Sequence, residues 1–326
     1  MKNFLVQLSI FVILGTITII GVYLIIDPFK VVYNYNSYDE LEVPSNRDYI
    51  STELFLKNHQ TQNYNSFIFG SSRTLAFKAS HWKKYLSDQS HVFTFDASGE
   101  NLRGIYLKLK YLDQINVNLK NALIIICRDA TFINNFETDK KFRDYLFIKH
   151  WKLSNQNYFT FQYEFFKGFI QPVFLKYYFY KIKIMGDKYQ GKIKTDSISN
   201  EMSLIYNETQ IKKDIIKYYD EKKDVFYLRK NEKIDSMNRI NSNHIKMLQE
   251  IKQILIKHKT IYKIVISPLY EQTKFNKKDY KILKDIFNEN LYDFSGKNKF
   301  TENKRNYYEE SHYRPIVGDS IFKEIY

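Results

Sequence analysis

The sequence has little of the residues that mark disulfide-rich, low-complexity or disordered proteins. It contains one cysteine, five prolines and ten glycines among 326 residues, against 28 tyrosines and 26 phenylalanines. A single cysteine, Cys127, excludes a disulfide within the chain. The aromatic content permits a sizeable core, and no internal repeat is evident. No histidine or cysteine cluster stands at metal-ligand spacing, so neither a metal nor another cofactor is expected.

Charge is missing from the beginning of the chain. No charged side chain stands between Lys2 and Asp27, and residues 4–26 are a run of 23 mostly apolar residues. At about 1.5 Å per residue, this run matches a hydrocarbon core of roughly 30 Å. A cleavable signal peptide has an apolar stretch of about 7–15 residues that ends in small residues, whereas this run is longer and ends at Ile26. The sequence therefore predicts a retained transmembrane anchor over residues 1–26.

The charge that is present bears on orientation and partners. The formal net charge of +14 is compatible with nucleic acid, an anionic membrane surface or an anionic polymer. Most lysines, however, stand in Lys/Asn/Ile/Tyr-rich stretches, which favours a solvated surface. The tail before the span offers nothing that could act in the cytoplasm, whereas about 300 residues follow it. We expect a single-pass protein of the cytoplasmic membrane, with most of the chain in the periplasm or at the cell surface and no nucleic-acid partner.

After the anchor, short apolar runs alternate with segments of helical periodicity. This alternation indicates βαβ units and an α/β fold with a mainly parallel sheet. Polar residues cluster where the predicted strands end, which is where open α/β sheets bind ligands. The predicted strands are 65–69, 91–95, 122–127 and 262–266, and the predicted helices begin at Ser51 or cover 102–112, 236–258 and 317–326.

Three parts of the chain follow from this pattern. Residues 1–26 are the anchor, 27–60 a neck and first helix, and 61–326 one large α/β domain. The stretch of about 131–235 breaks the alternation and is crowded with Tyr, Phe and Lys. We interpret it as a mostly helical insertion that packs over the sheet or against the membrane surface. Its role as substrate lid, membrane-contacting surface or structural bulk stays open.

Three short elements could carry chemistry. The first is Gly70-Ser71-Ser72-Arg73, a strand-to-helix turn where a serine hydroxyl is exposed and acts as a nucleophile if a base reaches it. The second is the turn around Gly99, whose backbone N–H can approach an oxyanion closely. In the third, Glu309 precedes His312 by three residues, so a carboxylate can hold the imidazole tautomer that accepts the serine proton. Each element alone is as well explained by a helix cap, an ordinary turn or one of seven histidines.

Taken in this order, the elements resemble the SGNH/GDSL esterases and acyltransferases. Within that superfamily, the likeness is to a membrane-anchored branch that serves polysaccharide and teichoic-acid O-acylation. The resemblance covers about residues 62–130 and 260–326 and implies an SGNH-like three-layer sandwich. It places the nucleophile on Ser72 rather than Ser71 and an oxyanion donor on Gly99. The Asp-x-x-His of the superfamily falls on Glu309 and His312, with glutamate replacing aspartate. A competing alignment would use Glu310 as the acid, but its spacing to His312 is one residue too short.

The third block of the superfamily is where this chain departs. An oxyanion-binding asparagine usually follows the third strand, whereas here the strand leads into Cys127-Arg128-Asp129-Ala130. Arg128 is an alternative donor, and the anchored branch often lacks the asparagine. Losing one oxyanion donor typically costs about 10² to 10³ in rate.

The remaining candidates surround these blocks. Arg73 is a candidate for binding an anionic substrate group, for pairing with Glu309, or for a surface salt bridge. Asn101 is a further candidate for substrate binding. Asp293 resembles a recurrent feature of the anchored branch and is given a structural or supporting role.

The resemblance implies a serine esterase or O-acyltransferase that acts on acyl esters, most simply acetyl esters, of a cell-envelope glycan. Ser72 would attack the ester, His312 would act as general base, Glu309 would orient it, and the N–H groups of Ser72 and Gly99 would bind the oxyanion. A membrane-bound O-acyltransferase is a partner by this resemblance. The alternative is a non-catalytic SGNH-like scaffold that binds a glycan or a membrane partner. A Ser72–His312 separation well beyond roughly 5 Å would favour the scaffold.

Overall fold

The computed structural model describes residues 1–39, 41–133, 141–186, 193–229 and 232–326. The α-helices of these ranges are α1 Lys2–Ile26, α2 Arg47–Gln62, α3 Ala79–Trp82, α4 Leu102–Gln114, α5 Trp151–Ser154, α6 Tyr158–Phe169, α7 Pro172–Lys176, α8 Ile205–Lys213, α9 Ile215–Asp220, α10 Ser242–Lys257, α11 Lys277–Phe287, α12 Lys299–Glu302 and α13 Pro315–Ile325. The strands are β1 Ser66–Gly70, β2 Val92–Asp96, β3 Asn121–Ile126, β4 Lys194–Thr195, β5 Met202–Ser203, β6 Lys233–Ile234, β7 Ile261–Ile266, β8 Thr273–Lys274, β9 Leu291–Asp293, β10 Tyr307–Glu309 and β11 His312–Tyr313.

A five-stranded sheet with the order β2-β1-β3-β7-β9 forms the centre of the fold. All its neighbouring strands pair in parallel. This confirms the expected α/β class with a mainly parallel sheet. The order reverses direction between β1 and β3, and ligands of doubly wound sheets bind at such a reversal, beyond the carboxyl ends of the strands.

The two faces of the sheet belong to two apolar clusters. Along β1, Phe67 and Phe69 pack into the cluster of α2, α4, α10 and α11, whereas Ile68 packs into the cluster that contains α13. Successive strand residues point to opposite faces, so a continuous apolar run is what a strand buried on both sides requires. Helices therefore cover both faces of the sheet.

Helix α1 is long and apolar enough to cross a membrane. Its side chains are exposed along nearly the whole length, and Tyr23 near its end is its buried residue. The chain leaves the helix at Asp27, which has a left-handed backbone with φ of 38°. The Asp27 carboxylate accepts the N–H groups of Val31 at 2.9 Å and Val32 at 3.0 Å and the Tyr35 hydroxyl at 2.9 Å. The neck is thus a folded segment that starts with a hydrogen-bonded turn.

Helix starts differ from the predicted ones where another residue provides the cap. Helix α2 begins at Arg47 rather than Ser51, because the Asn46 side chain accepts the Tyr49 N–H at 2.8 Å. Helix α10 begins at Ser242 rather than Ser236, because Asn241 and His244 form a reciprocal capping box. Asparagine caps as well as serine does, so the side-chain type alone did not locate either start.

The described part of the insertion is mainly helical. It contains α5 to α9, a 3-10 segment at Lys141–Phe147, a π-helical segment at Tyr177–Ile184 and the short pair β4–β5. Residues 134–140, 187–192 and 230–231 of the predicted insertion lie outside the described residues. Its first helices pack against the end of α1 and the neck: Phe29 contacts Phe165 at 5.7 Å and Phe174 at 4.9 Å between ring centroids.

Candidate active site

The first element of the site is a tight turn between β1 and a 3-10 segment at Ser72–Ala76. Gly70 ends the strand with φ of 150°, and a Cβ there would lie 2.9 Å from the Cβ of Ile125. Glycine is therefore required for the chain to leave the strand beside β3. Ser71 is buried, with its hydroxyl 3.3 Å from the Cys127 sulfur, whereas Ser72 is partly exposed. The turn thus presents Ser72 and hides Ser71.

The β10–β11 hairpin brings the histidine to this turn. Strand positions Glu309 and His312 pair with each other across the hairpin. The Glu309 carboxylate bonds to Nδ1 of His312, and Nε2 of His312 lies 2.8 Å from Oγ of Ser72. The second carboxylate oxygen of Glu309 accepts the Ser311 N–H at 2.7 Å. Three side chains from the two ends of the domain therefore form one hydrogen-bonded row.

No protein-family model matches the chain, and no curated protein matches it significantly. The geometry of the site is therefore what indicates the function.

The charges around Glu309 determine which nitrogen of His312 carries the proton. Burial alone would raise the pKa of Glu309, but its hydrogen bond to His312, the charge of that ring, the Ser311 N–H and the charge of Arg73 together lower it. Glu309 is therefore a carboxylate at neutral pH and can only accept a hydrogen bond. The proton on the neutral imidazole must then be on Nδ1, which leaves the lone pair of Nε2 facing the Ser72 hydroxyl.

The second element lies beside the nucleophile turn. Gly70 and Asp96 are register partners at the ends of β1 and β2, and the Ala97 N–H donates to the Gly70 carbonyl at 3.2 Å. The turn then reaches Gly99, which has φ of 56°. Ser72 is the first residue of its 3-10 segment, and the first N–H groups of a helix have no partner within it. The backbone N–H groups of Ser72 and Gly99 thus belong to adjacent turns.

A buried charge network supports the second element, and sequence reasoning missed it. Asp96 pairs with Arg47 at 3.1 Å and accepts the Thr74 hydroxyl at 3.0 Å. Lys108 bonds to the Glu100 carboxylate and to the Asp96 carbonyl at 3.0 Å. The network therefore holds both ends of the turn that contains Gly99.

Arg73 joins three turns of the site. Its Nε donates to the Ser311 carbonyl at 3.0 Å, and its Nη2 lies 2.6 Å from the carboxylate of Asp129. Burial alone would lower the pKa of Arg73, but the charge of the Asp129 carboxylate and its hydrogen bond raise it, so the side chain stays charged. Of the roles expected for Arg73, the structure shows an ion pair, but its partner is Asp129 and the arginine is buried rather than on the surface. The second Asp129 oxygen, Oδ1, is buried without a hydrogen-bond partner.

The other predicted residues have protein partners of their own. Arg128 donates to Glu271 at 2.8 Å and to Asp235 at 3.0 Å. The Asn101 side chain caps α4 by accepting the Gly104 N–H at 3.1 Å and donates to the Ile133 carbonyl at 3.2 Å. Asp293 accepts the N–H of Ser295 and pairs with Lys274, both at 2.8 Å. The contacts of Arg128, Asn101 and Asp293 are thus structural.

A chain of buried polar groups connects the nucleophile turn to the histidine hairpin. It runs from Ser71 to the Cys127 sulfur, from there to Ser267 at 3.5 Å, and from Ser267 to the Tyr313 hydroxyl at 3.2 Å. Burial raises the pKa of Cys127, so it remains a neutral thiol. Ser71 is adjacent to Ser72, and Tyr313 is adjacent to His312. This row of buried polar groups therefore helps to set the distance between Ser72 and His312.

The described ranges contain a cavity that could hold part of a substrate but no cluster suited to a metal. A cavity of about 460 Å³ opens beside Ser98, between neck residues Tyr38 and Leu41 and insertion residues Tyr177 and Met202. No group of three or more His, Cys, Asp or Glu side chains within those ranges could hold a metal ion.

Proposed function

We propose that this chain is a membrane-anchored serine esterase or O-acyltransferase that acts on acyl esters, most simply acetyl esters, of a cell-envelope polysaccharide. The observation that carries the proposal is the hydrogen-bonded row of Ser72, His312 and Glu309. Nucleophile, base and orienting acid stand in the order and spacing that serine hydrolases use. The parallel sheet with helices on both faces supports the SGNH-like three-layer sandwich that is part of this proposal.

The reaction follows from the proton positions. As Oγ of Ser72 attacks the ester carbonyl carbon, its proton passes to Nε2 of His312, and Glu309 stabilises the resulting imidazolium. The negative charge develops on the carbonyl oxygen, where the N–H groups of Ser72 and Gly99 are the proposed donors. The leaving alcohol takes the proton from Nε2, and an acyl-serine remains.

The second half of the reaction regenerates the serine. His312 takes a proton from water or from a sugar hydroxyl, whose oxygen attacks the acyl-serine carbonyl. The bond between the acyl carbon and Oγ of Ser72 then breaks, and Nε2 of His312 returns its proton to Oγ. Water gives hydrolysis, and a sugar hydroxyl gives acyl transfer. Arg128 is held by two carboxylates, which favours the backbone groups over its guanidinium as oxyanion donors.

The scaffold alternative expects the serine and histidine to be apart. The 2.8 Å between Oγ of Ser72 and Nε2 of His312 lies within the range of a general base and its proton donor, which supports the enzyme. Two features favour the scaffold: the missing asparagine after β3 and the glutamate in place of aspartate. One oxyanion donor fewer slows acyl transfer by about 10² to 10³.

Location is part of the same proposal. We propose that α1 spans the cytoplasmic membrane with the N-terminus inside and the α/β domain outside, where cell-envelope glycans are available. A membrane-bound O-acyltransferase that exports acyl groups would be its donor partner.

Hydrolysis of p-nitrophenyl acetate by the full chain in detergent tests the chemistry. Ser72→Ala and His312→Ala should fall to background while keeping the wild-type far-ultraviolet circular dichroism. Ser71→Ala is the matched control, since the neighbouring serine is buried against Cys127, and it should retain activity within about tenfold, the cost of one hydrogen bond. Activity that survives Ser72→Ala but not Ser71→Ala would contradict the assignment of the nucleophile.

A further inference from the structure

The first long helix of the insertion lies against the last turn of α1. The ring of Tyr23 is 5.4 Å from that of Phe166 and 5.2 Å from that of Phe169, between centroids. Tyr23 precedes the end of α1 by three residues, which is about 4.5 Å along the helix axis. If α1 spans the bilayer, as the proposed function holds, α6 must lie at the height where the span leaves the hydrocarbon.

Residues 158–186 expose large apolar side chains in addition to those that they bury in the core. Helix α6 meets the core with Phe161, Phe165 and Phe169, which are buried at four-residue spacing. Phe159, outside that set, is 80% exposed. The following segment continues the exposed apolar surface with Val173 at 59%. Further exposed large apolar side chains of this region are Tyr158, Tyr163, Ile170, Phe179, Tyr180, Ile184 and Met185.

Positive charge accompanies these apolar side chains. Residues 158–186 contain four lysines and one glutamate, Glu164, which pairs with Lys167 at 2.7 Å, while Lys183 pairs with Glu42 of the neck at 2.7 Å. Apolar and aromatic side chains flanked by lysines are typical of helices that lie in the interface of anionic membranes. Each lysine near such a surface adds electrostatic attraction to anionic lipid.

We propose that residues 158–186 form a second membrane contact, which lies in the headgroup region of the leaflet where α1 ends and binds anionic lipid. The contact with Tyr23 places the surface at the membrane boundary, and the lysine excess matches the charge of that boundary. Outside α1, the other exposed large apolar side chains of the described residues stand singly, such as Ile256 on α10, or in shorter runs, of which Val225, Tyr227 and Leu228 are an example. A protein partner is the competing occupant.

The contact would also orient the catalytic site. Tyr49 at the start of α2 stacks on Phe161 at 5.8 Å and donates to the Val31 carbonyl at 3.4 Å. The same end of α2 contains Arg47, which pairs with Asp96 at the carboxyl end of β2. The edge of the sheet that presents Ser72 is therefore the edge next to the membrane contact.

A fluorescence experiment on the full chain in nanodiscs tests this surface independently of ester hydrolysis. Phe159→Cys and Val173→Cys are each labelled with an environment-sensitive dye, since the native Cys127 is buried. The matched control is Ile256→Cys, because Ile256 is also 59% exposed and stands in the last turn of α10, which leads to the opposite edge of the sheet. Nanodiscs contain phosphatidylglycerol and lipids brominated near the headgroup.

Dyes at 159 and 173 should shift to the blue and be quenched by the brominated lipid at least twofold more than the dye at 256. Equal, weak quenching at all three positions in an incorporated chain would overturn the surface and leave the α1 span standing. A chain that does not co-elute with nanodiscs would overturn both. Quenching at 159 and 173 that is as strong with purely zwitterionic lipid as with phosphatidylglycerol would overturn the preference for anionic lipid. A blue shift at both positions without quenching by the brominated lipid would overturn the membrane contact in favour of a protein occupant.

Discussion

Replacing Glu309 by glutamine isolates the role of the carboxylate. The change keeps the shape of the side chain but removes the charge that stabilises imidazolium, and the amide can donate to Nδ1 and so favour the wrong tautomer. In a serine protease the corresponding loss of tautomer control lowers kcat by about 10⁴. Glu309 is 30% exposed on its side chain, so solvent screens part of its charge. We therefore expect a smaller loss, about 10³ in kcat, which corresponds to about 4 kcal/mol of barrier.

The adjacent Glu310 provides the matched control. It is exposed, it carries the same charge, and it would be the acid if the hairpin were one residue out of step. Glu310→Gln should keep kcat within about twofold, as expected for an exposed charge away from the reacting atoms. Steady-state hydrolysis of p-nitrophenyl acetate by both variants, at matched folded fraction, decides the question. A loss at Glu310→Gln with normal kcat at Glu309→Gln would refute the hydrogen-bonded row.

Three further changes test how the fold supports the site, each by denaturant unfolding of the full chain in detergent. Gly318→Ala should lower the free energy of unfolding by about 1–3 kcal/mol, because the added Cβ would overlap the Ala76 carbonyl at the end of the nucleophile turn. Unchanged stability would contradict that packing. Lys108→Met should lower the free energy of unfolding by about 3–5 kcal/mol, because the buried carboxylates of Glu100 and Asp48 lose the positive charge of Lys108. A variant that is more stable than wild type would contradict this. Glu208→Gln should cost about 1–2 kcal/mol at pH 7 by losing the bidentate pair with Arg314. Burial would raise the pKa of Glu208, but the hydrogen bond of Arg314 lowers it. The loss of stability in Glu208→Gln should therefore be present above about pH 4.3, the pKa of an unfolded glutamate, and should vanish as the pH falls through the lower pKa of Glu208 in the folded protein. A loss of stability that does not depend on pH would contradict the ion pair.

The sheet could be predicted because its signals are local. Each central strand is a short apolar run that ends in turn residues, and a strand buried on both faces needs no more than that. The nucleophile turn and the acid–histidine pair also have short patterns, glycine before serine and glutamate three residues before histidine, but each pattern alone is equally typical of a cap or a turn. The hairpin that contains Glu309 and His312 was not predicted. The order of the elements, and the resemblance based on it, predicted a common site for Ser72, His312 and Glu309.

The supporting contacts could not be predicted because they join distant residues. Arg73 and Asp129 are 56 positions apart, and Arg128 and Glu271 are 143 apart. No local pattern shows which of 50 basic side chains pairs with which carboxylate. The hydrogen-bonded turn at Asp27 was missed for a different reason, since three amides converge on one carboxylate only after the chain has turned.

The proposed function requires Ser72 to be an activated nucleophile, and covalent labelling by a fluorophosphonate detects such a serine. Labelling needs no natural acyl donor or acceptor, so it detects an acyltransferase as well as an esterase. We predict one phosphonyl adduct on wild type, located at Ser72 by peptide mass spectrometry and absent from Ser72→Ala and His312→Ala. A folded wild-type chain that stays unlabelled, or is labelled at another serine, would show that Ser72 is not an activated nucleophile.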